Sequence, residues 1–487
     1  MLAAVRRMSI PLADKIPKVP VLQLRKIILV LICVMPELSQ VLIYHMLHPL
    51  YPYMVQALIP GDSKIGYHAG ILQSAYFLPS IVSAPLMGRL SDVVGRRKVL
   101  LVGLVGYGFG TLMLGLSLHY WVAVFSMVAT GFFSGNATVA KSVIGELSSD
   151  DHTRALGYSA YGIAYAVCSI AGAVVGGQLA DSKFFSGFEF LAKRPYFTAC
   201  FFGFILTSVC VIVTFALLDD EDKELSYVAV SQKKDELLSE EDSDSHSRCS
   251  PRIRVLSQST SFPGVTSIAS TSTSERIYTA VAPYLSILNR HTLTPLTLYT
   301  LYALTNSILH TAIPLISASD KGYKLPQKRT AEISMYTALS KLCAKGVFMG
   351  VHSIAGSLGA YRLGTSLLLP ALVLVSGVVY GFSGLVPGLV VVGVGESWAY
   401  LSLVMLITEG AQVHDHGKGG TLGLVHGVSG CAAAVVRTVG PAMAGILWET
   451  CGAGVLFSVI GFFVGLQLVL SFLFMRTRSF RKGAVVG

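Results

Sequence analysis

Glu37, Lys341, Lys345, Glu396 and Arg437 stand inside long apolar stretches, a setting that gives their charge chemical consequences. An ionised side chain at mid-bilayer costs about 2.5–3.5 kcal/mol on insertion scales, so each of these should face a cavity or a partner. Glu37 follows Pro36, which frees a backbone group and can kink a helix. A carboxylate there can gain and lose a proton, or hold a static hydrogen bond. Lys341 and Lys345 lie four apart on one helix face. That cationic stripe would bind an anion, pair with Glu37 or Glu396, or, at Lys345, snorkel to the membrane edge. Glu396 has Trp398 and Tyr400 close by, combining charge with an aromatic surface. Arg437 either braces helices or touches a ligand. His45, His48, His310 and His426 are of the type that relays protons, with hydrogen-bonded packing as the simpler reading. Asn136 and Asn306 bridge helices or contact a ligand, and the sequence leaves both open.

Other chemistry is disfavoured. His414-Asp415-His416 offers two ligands on a polar loop and leaves a metal sphere incomplete, so no metal and no cofactor is expected. The eight cysteines are scattered, without a CxxC pair, and read as small membrane hydrophobes rather than disulfides. There is no nucleophile elbow, phosphate loop or paired catalytic carboxylate, which argues against an enzyme.

The elements that must position these residues are membrane helices. With 53% hydrophobic and 13% charged residues over 487, the chain has too little polar surface to cover a water-soluble globule. Apolar stretches of about 20 residues, enough for a ~30 Å hydrocarbon core, recur at about 27–48, 67–87, 99–118, 121–144, 156–179, 196–218, 295–316, 331–351, 363–383, 385–407, 421–447 and 454–474. The eighth is the least apolar. The fold expected is all-α and integral to the bilayer, with twelve spans in two six-helix bundles at 27–218 and 295–474. The only glycosylation sequon, at Asn136, falls inside the fourth span and should stay unmodified.

The formal charge of +10 would suggest nucleic acid in a soluble protein, but here basic residues gather in alternate loops. Arg6, Arg7, Lys15, Lys18, Arg25 and Lys26 precede the first span, and Arg476, Arg478, Arg481 and Lys482 follow the last. The positive-inside rule then puts both tails, 1–26 and 475–487, in the cytoplasm, and no nucleic-acid partner is implied. Lys321, Lys324, Lys328 and Arg329, after the seventh span, break the rule and would face outward. The N-terminus is polar for about two dozen residues, and its first apolar segment is too long for a signal core.

Residues 219–294 join the bundles through acidic and then Ser/Thr-rich sequence whose low hydrophobicity suits a disordered cytoplasmic tether. Ser243, Ser245 and Ser250 are plausible phosphorylation positions within it. The two flanking halves carry a trace of repetition. With two residues inserted, the fifth span aligns with the eleventh so that Gly157 meets Gly423, Gly172 meets Gly440, Gly177 meets Gly445 and Asp181 meets Glu449. Small residues also let helices approach in lipid, which by itself explains any single glycine.

Between the second and third spans runs GRLSDVVGRRK, containing Gly88, Arg89, Asp92, Gly95, Arg96 and Arg97. Glycines allow a sharp turn, and a carboxylate suits the guanidinium fork. This loop resembles the signature of the major facilitator superfamily, and with the spans and the repeat the likeness covers the chain except its tails and tether. The branch it is most similar to is that of drug/proton antiporters, including tetracycline-resistance-like efflux proteins. The likeness rests on GNATVAKSVIGEL at Gly135–Leu147, Tyr51-Pro52-Tyr53, and Arg437-Thr-Val-Gly-Pro441. Two positions depart from that branch: Met127 replaces the fourth-helix arginine, and GAVVGG from Gly172 lacks the usual proline.

The resemblance implies a monomeric secondary transporter in the plasma or vacuolar membrane. It would move a small organic substrate, with protons as coupling ion, by alternating access. The signature loop would latch one closed state. A sensor signalling through the Ser-rich tether, or a carrier without proton coupling, are the competing readings.

Overall fold

The computed structural model describes residues 18–62, 64–147, 151–180, 194, 196–218, 290–376, 382–415 and 422–482. Of these, only the backbone is described at 18–29, 92–93, 141–142, 145–147, 151–159, 290–291, 382, 411–415, 422–424, 426–427 and 474–482. Most of the expected tether, Ser243, Ser245 and Ser250 included, therefore lies outside the described residues.

Among the described residues twelve α-helices follow in order: α1 Lys18–Leu47, α2 Tyr51–Leu58, α3 Ile65–Val94, α4 Arg96–Leu116, α5 Tyr120–Phe132, α6 Asn136–Leu147, α7 Asp151–Ala180, α8 Phe197–Leu217, α9 Arg290–Ala318, α10 Gln327–Val375, α11 Phe382–Asp415 and α12 Leu422–Lys482. No strand occurs among the described residues. Backbone polar groups cannot go unpaired in lipid, and helices satisfy them within one segment. Nine helical stretches among the described residues are long and apolar enough to cross a membrane. Two of these, in α10 and α12, are each a pair of helices meeting at a kink, at Gly356 (φ 69°) and Gly452 (φ 77°). The 29-residue α9 is of spanning length but more polar, and Asn306 and His310 lie on it. Each expected span thus finds a helical segment, including the doubtful eighth, which forms the first arm of α10.

The fourth span is a correction. It was expected to run unbroken from 121 to 144, but it breaks between Phe132 and Asn136. The interruption is satisfied locally. Gln40 Nε2 donates to the carbonyl of Phe133 at 3.3 Å, and Ser134 Oγ to that of Gly131 at 2.7 Å. A Cβ at Gly131 would run into the carbonyl oxygen of Tyr76, so α5 crosses α3 at backbone contact.

The halves meet where α3 packs on α12 and α7 on α10. The start of α1 and the end of α12, with Gly95 and Gly356, lie on one side, called here the terminal face; the turns at Ile59–Lys64 and Ser319–Pro326 lie on the opposite, distal face. The largest buried cluster joins the halves: Met46, Leu50, Met54 and Leu72 from one, Ile308, Ile316, Ile333 and Trp448 from the other. Towards the terminal face the clusters separate. One, with Leu298, Tyr361 and Leu403, belongs to the C-terminal half, and two, around Leu100 and Ala140, to the N-terminal half.

Polar contacts follow the same division. Tyr53 Oη donates to the carbonyl of Leu325 at 2.6 Å, and Gln327 Nε2 to Tyr196 Oη at 3.1 Å. The Ala442 N–H reaches Ser74 Oγ at 3.1 Å and the Gly66 N–H reaches Glu449 Oε1 at 2.7 Å. The molecule is sealed across its distal face. Three of the four basic residues that broke the positive-inside pattern sit there with acids: Lys321 with Glu449 at 2.7 Å, Lys324 with Asp320 at 2.9 Å and Arg329 with Glu332 at 3.0 Å.

Candidate functional site

Close helix packing in the C-terminal half creates the site. A Cβ at Gly393 would strike Ser340 Oγ, so α10 and α11 touch at this point. Lys341, one residue on, then reaches Glu396. Their Nζ and Oε2 are 2.7 Å apart, with Lys341 23% and Glu396 3% exposed at the side chain. The charges are held from behind as well. Ser397 Oγ donates to the Lys341 carbonyl at 3.2 Å, Trp398 Nε1 to that of Ala344 at 3.0 Å, and Tyr302 Oη to that of Glu396 at 3.1 Å.

Helix α9 adds two side chains from one face, four residues apart. Asn306 Nδ2 donates to Glu396 Oε1 at 2.8 Å. His310 Nε2 lies 2.9 Å from Lys341 Nζ and 3.5 Å from Glu396 Oε2. A carboxylate in such surroundings is stabilised by charge and by hydrogen bonds together, and breaking either contact leaves an exposed cost on the other.

The N-terminal half completes the enclosure. The rings of His48 and His310 are 6.1 Å apart across the interface. Tyr44 stacks at 5.4 Å on His48 and accepts from Gln73 Nε2 at 3.2 Å, while Gln73 Oε1 accepts from Thr311 Oγ1 at 2.7 Å. Lys345 Nζ donates to the carbonyl of Gly162 at 3.0 Å. Arg437, on α12, lies in electrostatic range of Tyr165, Tyr299, Tyr302 and Tyr400. A belt of tyrosine, histidine and paired charge therefore lies between the halves, below the distal seal. No cluster of metal-ligating side chains occurs among the described residues.

The sequence model of the Major Facilitator Superfamily matches residues 38–435. The chain belongs to the major facilitator superfamily. That membership makes it a carrier-family membrane protein and not an enzyme. Among curated relatives it is 30% identical over 181 residues to the major facilitator-type transporter psiT2 of Psilocybe cyanescens, over 35% of this chain and 34% of that one. It is also 30% identical over 166 residues to the class G tetracycline resistance protein of Vibrio anguillarum, over 34% of this chain and 40% of that one. The matches thus span between a third and two fifths of those relatives' length. Among solved structures the nucleoside transporter NupG superposes with a TM-score of 0.61 at 14% identity, covering 92% of this chain and 98% of that one. At that identity the likeness concerns the fold.

Within this major facilitator fold, the predicted residues divide. His310, Lys341 and Glu396 come together directly, and Tyr400 lies in electrostatic range of Arg437. Glu37 is buried on α1, where it accepts from Tyr161 Oη at 3.4 Å, so it is not the partner of Lys341. Asn136 lies away from the belt. It is fully buried between α4 and α6, its amide donating to the carbonyl of Leu100 at 3.5 Å and filling the space left by the absent side chain of Gly103. The side chains of His426, His414 and Asp415, and His416 altogether, lie outside the described residues. Gln73, Tyr165 and Thr311 were missed. A tyrosine pair at 161 and 165, one turn apart in a glycine- and alanine-rich span, is the signal that would have drawn attention to α7.

The superfamily loop also takes shape. Gly95 caps α3 and opens α4 at φ 103°, where a side chain would be strained. Gly88 packs beside Thr138, and Arg89 is exposed. Arg97 donates from Nη2 to the carbonyl of Phe215 at 2.8 Å and lies 4.7 Å from that ring's centroid. Arg96 is partly buried, and the Asp92 side chain lies outside the described residues. The second half repeats the arrangement with fewer charges. Gly356 also has positive φ, and Arg362 donates to the carbonyl of Ser471 at 2.7 Å with Phe472 4.0 Å beneath it.

Proposed function

We propose that the chain is a secondary transporter that carries a small organic molecule out of the cytosol by alternating access, in exchange for protons. The observation that supports this best is that, among the described residues, the polar contacts that join the halves gather towards the distal face, above a belt of titratable side chains drawn from both. With the chain ends in the cytosol, as their basic residues favour, this is the cytosol-facing state. Substrate would enter from the terminal face and meet the belt. Rocking of the halves would then close the terminal face and separate Gly66 from Glu449 and Tyr53 from Leu325.

Export is favoured by the relatives, which include tetracycline resistance proteins and a multidrug transporter. For coupling, the buried Glu37 and the Glu396–Lys341–His310 cluster are the groups whose protonation would change the charge of the cavity. A proton on Glu396 would release Lys341. The setting is a plasma or vacuolar membrane and the working unit a monomer, with the tether as a passive link.

The test is flux into proteoliposomes of a panel of organic compounds, with and without an imposed pH gradient, repeated with Glu37→Gln. Gradient-driven accumulation that the variant loses supports antiport. Flux indifferent to the gradient rejects it, and absence of flux for the whole panel removes transport of this compound class.

A further inference from the structure

Arg437 lies within a membrane-crossing segment, Val428–Leu473, where an unmatched charge is costly. Among the described residues no carboxylate pairs with its guanidinium; its backbone carbonyl alone is engaged, by Ser307 Oγ at 3.4 Å. Its electrostatic neighbours are His310 and tyrosines of both halves: Tyr44 and Tyr165 from one, Tyr299, Tyr302 and Tyr400 from the other. Its side chain is half-buried. A partly exposed guanidinium with tyrosines of both halves in its electrostatic range stands between the halves.

The other charges nearby are committed. Glu396 is held by Lys341, Asn306 and His310, and Glu37 by Tyr161. Lys345 Nζ is bonded to the carbonyl of Gly162 and has no carboxylate partner among the described residues. Among the described residues Lys341, Lys345 and Arg437 stand against two intramembrane carboxylates, Glu37 and Glu396, an excess of positive charge before any histidine takes a proton. Among the described residues the Tyr400 hydroxyl also has no hydrogen-bond partner; it lies in electrostatic range of Arg437, with the Tyr302 ring 6.2 Å away.

We infer that Arg437 and Tyr400 form the docking point for the acidic group of an aromatic organic anion, whose ring lies against the tyrosines. A guanidinium binds a carboxylate with two parallel hydrogen bonds, the tyrosine hydroxyl supplies a third donor, and tyrosine rings give a flat apolar wall. A cation would meet repulsion here, and a neutral molecule would leave the Arg437 charge uncompensated. This substrate class rests on the transport reading above, since it takes the cavity between the halves as the place where cargo sits.

The experiment is calorimetric titration of the full chain in nanodiscs with benzoate, 1-naphthoate and 9-anthroate, and with 1-naphthamide and 1-naphthylmethylammonium as neutral and cationic counterparts. At least one carboxylate should saturate the protein, with both counterparts of naphthoate at least tenfold weaker than naphthoate itself. Arg437→Gln should lose at least tenfold in affinity, and Arg437→Lys should retain part of it. If Arg437→Gln is not monodisperse, Tyr400→Phe replaces it, with a several-fold loss expected. The inference is overturned if no carboxylate binds the folded wild type, if the amide binds as well as the acid, or if the folded variant binds unchanged. Arg437-dependent binding without flux of the same acid into proteoliposomes would instead leave the anion site standing and reject transport. Flux of neutral compounds without carboxylate binding would do the reverse.

Discussion

Lys341 and Glu396 form an ion pair of 2.7 Å inside the C-terminal half, with the carboxylate all but sealed from solvent. Removing one member of such a pair leaves the other charge buried and uncompensated, a loss of about 3–5 kcal/mol. Lys341→Met and Glu396→Gln should therefore each lower the thermal midpoint of the purified protein strongly. The double variant should recover most of the loss, because two neutral side chains of similar size can pack in the same place. A double-mutant cycle on detergent-solubilised protein reads the coupling, and additive losses would contradict the pairing. Flux should fall in all three, since the recovered packing does not restore a titratable group.

Backbone contact between α3 and α12 is what allows the distal seal. A Cβ at Gly70 would collide with the carbonyl of Pro441, and one at Gly445 with the carbonyl of Gly66. Gly445→Val should disfavour this closed arrangement by about 1–3 kcal/mol, the usual cost of overpacking, which is roughly a ten- to hundredfold shift in population. A cross-link between Tyr53→Cys and Thr330→Cys by a bifunctional thiol reagent that spans the space of the tyrosine ring, whose hydroxyl lies 2.6 Å from that of Thr330, should then form more slowly. Unchanged trapping would show that the glycine is not needed for closure.

The repeat between the fifth and eleventh spans was legible as an order of glycines, and the contacts give that order a reason. Gly172 on α7 sits against the carbonyl of Leu42 on α1, and Gly440 on α12 against Ser307 on α9, each within its own half. Gly177 faces Ala331 and Gly445 faces Gly66, each across the interface. Partners far apart in sequence leave no local trace, which is why the periodic glycines were visible and their targets were not. Glu396 was likewise recognisable as an intramembrane acid. Its choice of Lys341, with Glu37 left to Tyr161, depends on the Gly393–Ser340 approach between two helices. Asn136 misled because a buried amide looks the same in sequence whether it faces a cavity or fills the gap over Gly103.

Arg97 and Arg362 make matching clamps, each stacking on a phenylalanine and donating to a backbone carbonyl at the terminal end of the sixth or twelfth span. Replacing either with Ala should cost about 1 kcal/mol, from a charge-assisted hydrogen bond and a cation–π contact in partly exposed surroundings. Lysine should fall between, because it keeps the charge and loses the planar fork. Thermal midpoints of the two alanine variants should drop by similar amounts, and a drop confined to Arg97 would break the equivalence. Asp92→Asn tests a different role. It should cut flux at equal surface amounts without reducing insertion, and normal flux would count against a latch.

Glu449 ties three parts of the distal seal together. Its Oε1 accepts the Gly66 N–H at 2.7 Å and its Oε2 meets Lys321 Nζ at 2.7 Å, so the end of the eleventh span holds both the second span and the loop after the seventh. The two contacts differ in worth. Lys321 is more than half exposed, and an ion pair of that kind contributes about 0.2–1 kcal/mol. The Gly66 N–H is partly buried, and leaving it without an acceptor costs about 1–3 kcal/mol. Glu449→Gln keeps an acceptor oxygen and loses the ion pair, whereas Glu449→Ala loses both. With Ser74→Cys as reporter in a background without the native cysteines, a membrane-impermeant thiol reagent applied to the distal face should react a few-fold faster in the glutamine variant. In the alanine variant the acceleration should reach roughly ten- to hundredfold. Equal acceleration in the two would assign the seal to Lys321, and no acceleration in either would show that Glu449 does not hold the distal face closed.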